Sequence, residues 1–329
     1  MSILTFCAVS SGDLPRAPLE ALAAARQLSE ELGGAEVQTL LVGADAAQHG
    51  AALIEHGADQ VFVVDHPQLE LLEEDLLLKA VEEGVEQLSP QMIIFPHDER
   101  SGGNVAPRLA YRLKTGIVTD CSGFEVENGS VRWLRPVYGG KAMATMRATG
   151  PLQLATMRAL SFEPLPADAS REGSVEDLDV DLGAISPEVS IVDVIVEEAA
   201  LEGPSLDRAD IIVSGGRGMG DEEGFQYVKE LADVLDAAVG GSRPAADTGW
   251  VPHSRLVGQT GKIVAPNLYI AVGISGAPQH MSGAGSSRTI VAINKDEDAA
   301  IFRQAHIGVI DEWENVLPTL IEVLTEEEI

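Results

Sequence analysis

Leu268-Tyr269-Ile270-Ala271-Val272-Gly273-Ile274-Ser275-Gly276-Ala277-Pro278-Gln279-His280 opens with five strand-forming apolar residues and breaks at a glycine-bounded turn. A helix follows, with Pro278 at an early position where its missing N–H costs little. That helix presents Gln279 and His280, and a second apolar run, Thr289-Ile290-Val291-Ala292-Ile293, ends at Asn294-Lys295-Asp296. Strand, glycine turn, helix and strand form the repeating unit of a parallel sheet covered by helices. Open sheets of this kind hold their ligands outside the C-terminal ends of the strands.

The same unit recurs upstream. Ile211-Ile212-Val213 runs into Ser214-Gly215-Gly216-Arg217-Gly218, then into a helix carrying Glu222, Glu223 and Phe225. Gly240-Gly241-Ser242-Arg243-Pro244 reads as another strand-end turn. Val257-Gly258-Gln259-Thr260-Gly261-Lys262 is a hydrogen-bonding loop that lacks the first glycine of a P-loop, so it gives no support for ATP hydrolysis. Residues 313–324 read as a C-terminal helix. Further upstream, strands at 3–9, 36–42, 60–64 and 92–95 alternate with helices, which predicts a second parallel sheet. From Gly116 the pattern shortens: 123–126, 131–134, 142–147 and 152–159 read as antiparallel strands, followed by a polar stretch over 163–181. A strand is expected over 189–196. The acid-rich segment 197–204 marks the domain boundary, giving an α/β first domain over 1–203 and a doubly wound second domain over 204–329.

Fifty-two acids against 22 bases give a formal charge of −30, with 45% hydrophobic residues. Such a chain folds, yet it lacks the cations that bind nucleic acid or anionic lipid. A carboxylate coat suits concentrated salt and predicts a salt-loving source. Cys7 and Cys121 have no metal or redox spacing and read as buried free thiols. Residues 1–6 read as a first strand and not a signal peptide, and no apolar run reaches spanning length, so the protein is expected in the cytoplasm. The charge is uneven. Residues 237–295 hold one acid, Asp247, beside five bases and nine glycines. Bases and glycines at strand ends are what a bound phosphate requires.

Residues 268–294 resemble the signature of the electron transfer flavoprotein alpha subunit: a strand, a G-I-S-G-x-x-Q-H turn, and a second strand ending in A-I-N. Ser214-Gly215-Gly216-Arg217-Gly218, Ser242-Arg243, Gly258-Gln259-Thr260-Gly261-Lys262-Ile263-Val264-Ala265-Pro266 and Asn294-Lys295-Asp296 follow in the family's order. More loosely, so do Pro107-Arg108-Leu109-Ala110, Thr119-Asp120-Cys121 and Arg135-Pro136-Val137-Tyr138-Gly139-Gly140 in the first domain. The resemblance implies one FAD, held mainly by the second domain, in an obligate heterodimer with a beta subunit whose interface the first domain serves. Such dimers carry electrons from acyl-CoA and related dehydrogenases to a membrane quinone oxidoreductase. It places Arg217 near the isoalloxazine, and Ser242, with the neighbouring Arg243, near phosphate and ribityl groups. Val257, Gly258, Gln259 and Thr260 line the flavin, Thr260 reaching N5. Ser275, Gly276, Ala277, Pro278, Gln279 and His280 hold the pyrophosphate and the pyrimidine edge. Asn294 and Glu312 serve the adenosine half. Three residues depart from the family pattern: Pro278 replaces an aliphatic residue, Glu312 stands for an Asp, and Lys141 replaces an Asn.

A one-electron carrier needs its half-reduced flavin to persist, and a cation beside the pyrimidine edge stabilises the anionic semiquinone. Arg217 stays protonated and His280 is able to carry charge, so both suit that role. His97-Asp98-Glu99-Arg100 reads as a polar strand-end loop with no metal spacing, and His253 with Asp247 lacks a nucleophile elbow. Tyr269 and Trp250 read as packing. From the residues alone two rivals stay open, a nucleotide-binding oxidoreductase and a non-catalytic nucleotide-sensing module.

Overall fold

Strands that are apolar on both faces need cover on both sides, and each half of the chain supplies it with helices. The computed structural model describes residues 1–326 apart from positions 11, 13, 139, 141, 186, 193–202, 207 and 208. Two compact units result, residues 1–194 and 195–329. The expected boundary segment over 197–202, positions 193–196 of the expected strand, and Lys141 lie outside the described residues; 189–192 form no strand.

In unit 1 the chain runs β1 (Ser2–Val9), α1 (Arg16–Glu31), β2 (Glu36–Gly43), α2 (Gly50–Glu55), β3 (Gln60–Asp65), α3 (Glu74–Leu88), β4 (Met92–Pro96), α4 (Ala106–Arg112) and β5 (Ile117–Cys121). It continues through β6 (Gly123–Glu127), β7 (Ser130–Val137), β8 (Ala142–Met146), β9 (Gln153–Met157) and β10 (Ser174–Asp177). Seven of these strands form one parallel sheet in the order β10-β3-β2-β1-β4-β9-β5, and β6-β7-β8 form a separate antiparallel sheet. Side-chain alternation along β1 feeds two cores: Ile3, Cys7 and Val9 pack on one face, Leu4 and Phe6 on the other. Burial pushes both free thiols, Cys7 and Cys121, up to about 12, so they stay protonated.

One expectation of strand direction needs correction. The run 152–159 is not antiparallel: β9 lies between β4 and β5 and is parallel to both, because its core-facing apolar residues are covered on both faces. The polar stretch over 163–181 contains β10, an edge strand pairing with β3 through its backbone while its acidic side chains face solvent.

Unit 2 runs β11 (Ile211–Gly215), α5 (Glu222–Val234), β12 (Ala238–Gly241), α6 (Arg243–Asp247), β13 (Leu268–Val272), α7 (Pro278–Ala284), β14 (Thr289–Ile293), β15 (Ile307–Val309) and α8 (Trp313–Glu326). All five strands are parallel in the order β12-β11-β13-β14-β15. The order reverses between β11 and β13, which is where a doubly wound sheet opens a crevice. The carboxylate of Asp221 accepts from Gly224 N at 2.8 Å and caps α5, with Glu222 and Glu223 in the first turn favouring the positive helix end. Trp313 of α8 meets Tyr227 of α5 with ring centroids 5.3 Å apart. Among the described residues no helix is long and apolar enough to cross a membrane.

Trp133 is fully buried where β7 meets the main core, edge-on to Phe124. Trp133→Ala is expected to cost about 3–5 kcal/mol, read as a lower midpoint in denaturant unfolding. A loss below about 1 kcal/mol would contradict the packing described.

Candidate functional site

At the β11/β13 crevice, two strand-end loops meet backbone to backbone. Gly216 N donates to Val272 O at 2.8 Å and Gly218 N to Gly273 O at 3.0 Å. A Cβ on Gly216 would lie 2.3 Å from Gly273 O, and one on Gly218 would lie 2.8 Å from Gly273 Cα, so neither position admits a side chain. Between those glycines Arg217 is exposed, and it lines a cavity of about 590 Å³.

The loop over 256–262 forms another wall. Val257 N donates to Gly241 O, Lys262 N to Leu256 O, and Gln259 N to Gln279 O at 2.7 Å. The loop rests directly on α7, where a Cβ on Gly283 would sit 2.4 Å from Gly258 N. Gly258 has φ +144°, a backbone conformation that suits glycine. Arg243 Nη1 donates to Thr260 Oγ1 at 3.2 Å, tying the start of α6 to the loop. Asn294 spends its side chain within the frame: Nδ2 donates to Ile274 O at 2.9 Å and Oδ1 accepts from Asp296 N.

Of the residues singled out by sequence, Arg217, Ser242, Arg243, Val257, Gly258, Gln259, Thr260, Ser275, Ala277, Gln279, His280 and Asn294 stand around this one cavity. Gly276, Pro278 and Glu312 do not line it. Gly276 packs against Ile301, Pro278 opens α7, and Glu312 is exposed with its carboxylate 3.6 Å from Lys295 Nζ. Asp296, Ala299 and Ile274 line the wall although sequence does not single them out. Asp296 carries a signal, since it closes the same strand-end run as Asn294.

Two wall residues carry buried polar atoms with no partner in the chain: Ser242 Oγ, in a residue 6% exposed, and His280 Nδ1, in a residue 7% exposed. Burying such groups unpaired is costly, and a polar ligand relieves that cost. A neighbouring guanidinium and glycine loops that admit close backbone approach match the diphosphate and heteroaromatic edges of FAD. The residues present therefore fit that cofactor. The charge expected on His280 needs correction. Burial disfavours the imidazolium and lowers its pKa to about 4, the nearby Val257 carbonyl offsetting this only in part, so the ring is neutral at pH 7. Arg217 is then the fixed cation of the two.

Since folding depresses the His280 pKa below its ordinary 6.5, the stability this ring contributes is complete above about pH 6.5 and is lost as pH falls towards 4. An NMR titration should find one histidine charging near pH 4 and vanishing in His280→Asn. A His280 ring that titrates in the ordinary histidine range contradicts its desolvation. Gly283→Ala should push the 256–262 loop off α7 and cost about 1–3 kcal/mol by overpacking. Unchanged thermal stability would show that the contact is not tight.

The model of the "Electron transfer flavoprotein domain" family matches residues 3–182, and that of the "Electron transfer flavoprotein FAD-binding domain" family matches residues 205–285. The electron transfer flavoprotein subunit alpha of Bacillus subtilis is 40% identical over 314 residues, covering 95% of this chain and 94% of its own length. That of Thermoanaerobacterium thermosaccharolyticum is 40% identical over 322 residues, covering 97% and 96%. The mitochondrial alpha subunit of Dictyostelium discoideum is 36% identical over 302 residues, covering 89% and 84%. Full-length similarity of this degree, with an FAD-binding family model lying over the crevice, places the chain in the electron transfer flavoprotein alpha-subunit family.

Proposed function

We propose that the cavity of unit 2 holds the FAD of this alpha subunit, with the flavin end near Arg217, the 256–262 loop and His280, and the diphosphate near Ser242 and the 275–279 turn. The observation that carries the reading is the convergence of Arg217, Ser242, His280 and the glycine loops on one cavity at the switch point. Bound FAD supplies the ability to take up electrons in pairs and release them singly. The chain supplies the rest. Arg217 holds a permanent positive charge that favours added negative charge nearby; at an effective dielectric of ~20 a charge at ~4 Å is worth about 4 kcal/mol before desolvation. His280 offers a neutral hydrogen-bonding edge. Arg243 steadies Thr260, and with it the loop that excludes water from that side.

In this reading the chain pairs with a beta subunit and works in the cytoplasm. It takes electrons from acyl-CoA-type dehydrogenases of fatty acid oxidation and passes them to a membrane quinone oxidoreductase. The acid coat, 52 acids against 22 bases, supports operation in concentrated salt, where repulsion between surface carboxylates is screened.

Arg217→Lys keeps one charge and loses the planar fork. FAD affinity, measured by fluorescence titration, is expected to fall about 3- to 10-fold, and the midpoint potential for the first electron is expected to drop. Unchanged affinity together with an unchanged potential would remove Arg217 from the site.

A further inference from the structure

Tyr269 is fully buried within an apolar cluster of unit 2 and does not line the cavity. Its ring alone would be explained by packing. Its hydroxyl is not, because a buried O–H needs an acceptor. That acceptor is at hand, with Tyr269 Oη and His280 Nε2 2.9 Å apart. Behind the hydroxyl lies Ser214 Oγ, fully buried and without a partner at hydrogen-bond geometry. Register places these groups together. Ile212 pairs with Tyr269 and Ser214 with Ala271 across β11 and β13, so Ser214 and Tyr269 are diagonal neighbours on one face of the sheet. Gly240, opposite Ser214 on β12, leaves room for the hydroxyl, since a Cβ there would lie 2.4 Å from Oγ. A short polar line thus runs from the sheet interior to the cavity wall.

We infer that Tyr269 is a positioning residue for the cavity: its hydroxyl donates to His280 Nε2, fixing the ring's orientation and keeping its proton on Nδ1. Which nitrogen of a neutral imidazole carries the proton is set by the hydrogen bond made at the other. With Nε2 accepting from tyrosine, Nδ1 must be the donor. The ring's other neighbour is the backbone of Val257, itself part of the wall. The Nδ1–H is therefore directed at that carbonyl, and the imidazole links β13 to the 256–262 loop. Ser214 is able to donate to the tyrosine oxygen, so all three groups point their hydrogens the same way, towards the loop. Burial keeps both rings in the state this requires, raising the Tyr269 pKa and lowering that of His280. Without the tyrosine hydroxyl, Nε2 would lose its donor. Imidazole would then return to its ordinary preference for a proton on Nε2 and present a lone pair to the Val257 carbonyl, breaking the link to the loop.

The inference rests on the reading of the cavity as the FAD site, whose loop wall the imidazole holds in place. The test uses the full chain with its beta subunit, labelled with ¹⁵N-histidine, the His280 signals being identified by their loss in His280→Asn. In the unsubstituted protein, long-range ¹H–¹⁵N spectra should show His280 protonated at Nδ1 and bare at Nε2; a His280 protonated at Nε2 overturns the inference without recourse to any variant. Tyr269→Phe, which removes one oxygen, should shift the ring to the other tautomer and weaken FAD binding about 3- to 10-fold. Ser214→Ala should do the same to a smaller degree. Tyr269→Phe with tautomer and affinity unchanged would reduce the tyrosine to packing. Failure of the unsubstituted complex to bind FAD would instead defeat the reading of the cavity and leave the tautomer result standing.

Discussion

Gly216 and Gly218 approach Gly273 so closely that a single methyl group at either position would collide with backbone. The rest of the site depends on that contact. β11 and β13 are neighbours in the sheet, and the loops leaving their C-terminal ends diverge to opposite faces. Only because those loops touch first, through Gly216 N to Val272 O and Gly218 N to Gly273 O, do Arg217 and the 274–280 turn face one space. The loop over 256–262 then closes the space by resting on α7 at Gly283, a contact of the same side-chain-free kind. Backbone packed on backbone is stiff, and stiffness is what a preorganised cofactor site needs.

Inside that frame the wall is chemically unfinished. Ser242 Oγ and His280 Nδ1 are buried and unpaired, in a protein interior where nearly every such group finds a partner. The dry surroundings that leave them unpaired also discharge His280, so the site's permanent positive charge falls to Arg217 and Arg243. The electrostatics of the chain are thereby divided. Carboxylates face the solvent over most of the surface, while the segment that builds the cavity, residues 237–295, keeps five bases and a single acid.

Much of this is legible in the amino-acid sequence. Strand-glycine-helix runs are local, so 211–218 and 268–294 indicate both the parallel sheet and the loops at its crevice. What sequence hides depends on distant neighbours. β9 reads like any short apolar strand, and its parallel partners β4 and β5 lie far away along the chain. β10 is an acidic edge strand whose pairing is made by backbone alone. His280 reads as chargeable because sequence does not report desolvation. Glu312 stands in a promising alignment, yet it faces solvent beside Lys295. Tyr269 reads as packing, and its ring does pack; that its oxygen reaches His280 follows from the register of β13 and the direction of α7.

Hydrogen–deuterium exchange of the complex with its beta subunit, FAD-free against FAD-loaded, tests the central claim most directly, because it reports where in the chain the cofactor is felt. Binding in the crevice should slow exchange at 215–218, 240–243, 256–262 and 273–281, and leave the amides of β1 to β4 unchanged. Protection confined to unit 1, or no protection at the four unit 2 segments with FAD bound, would contradict it.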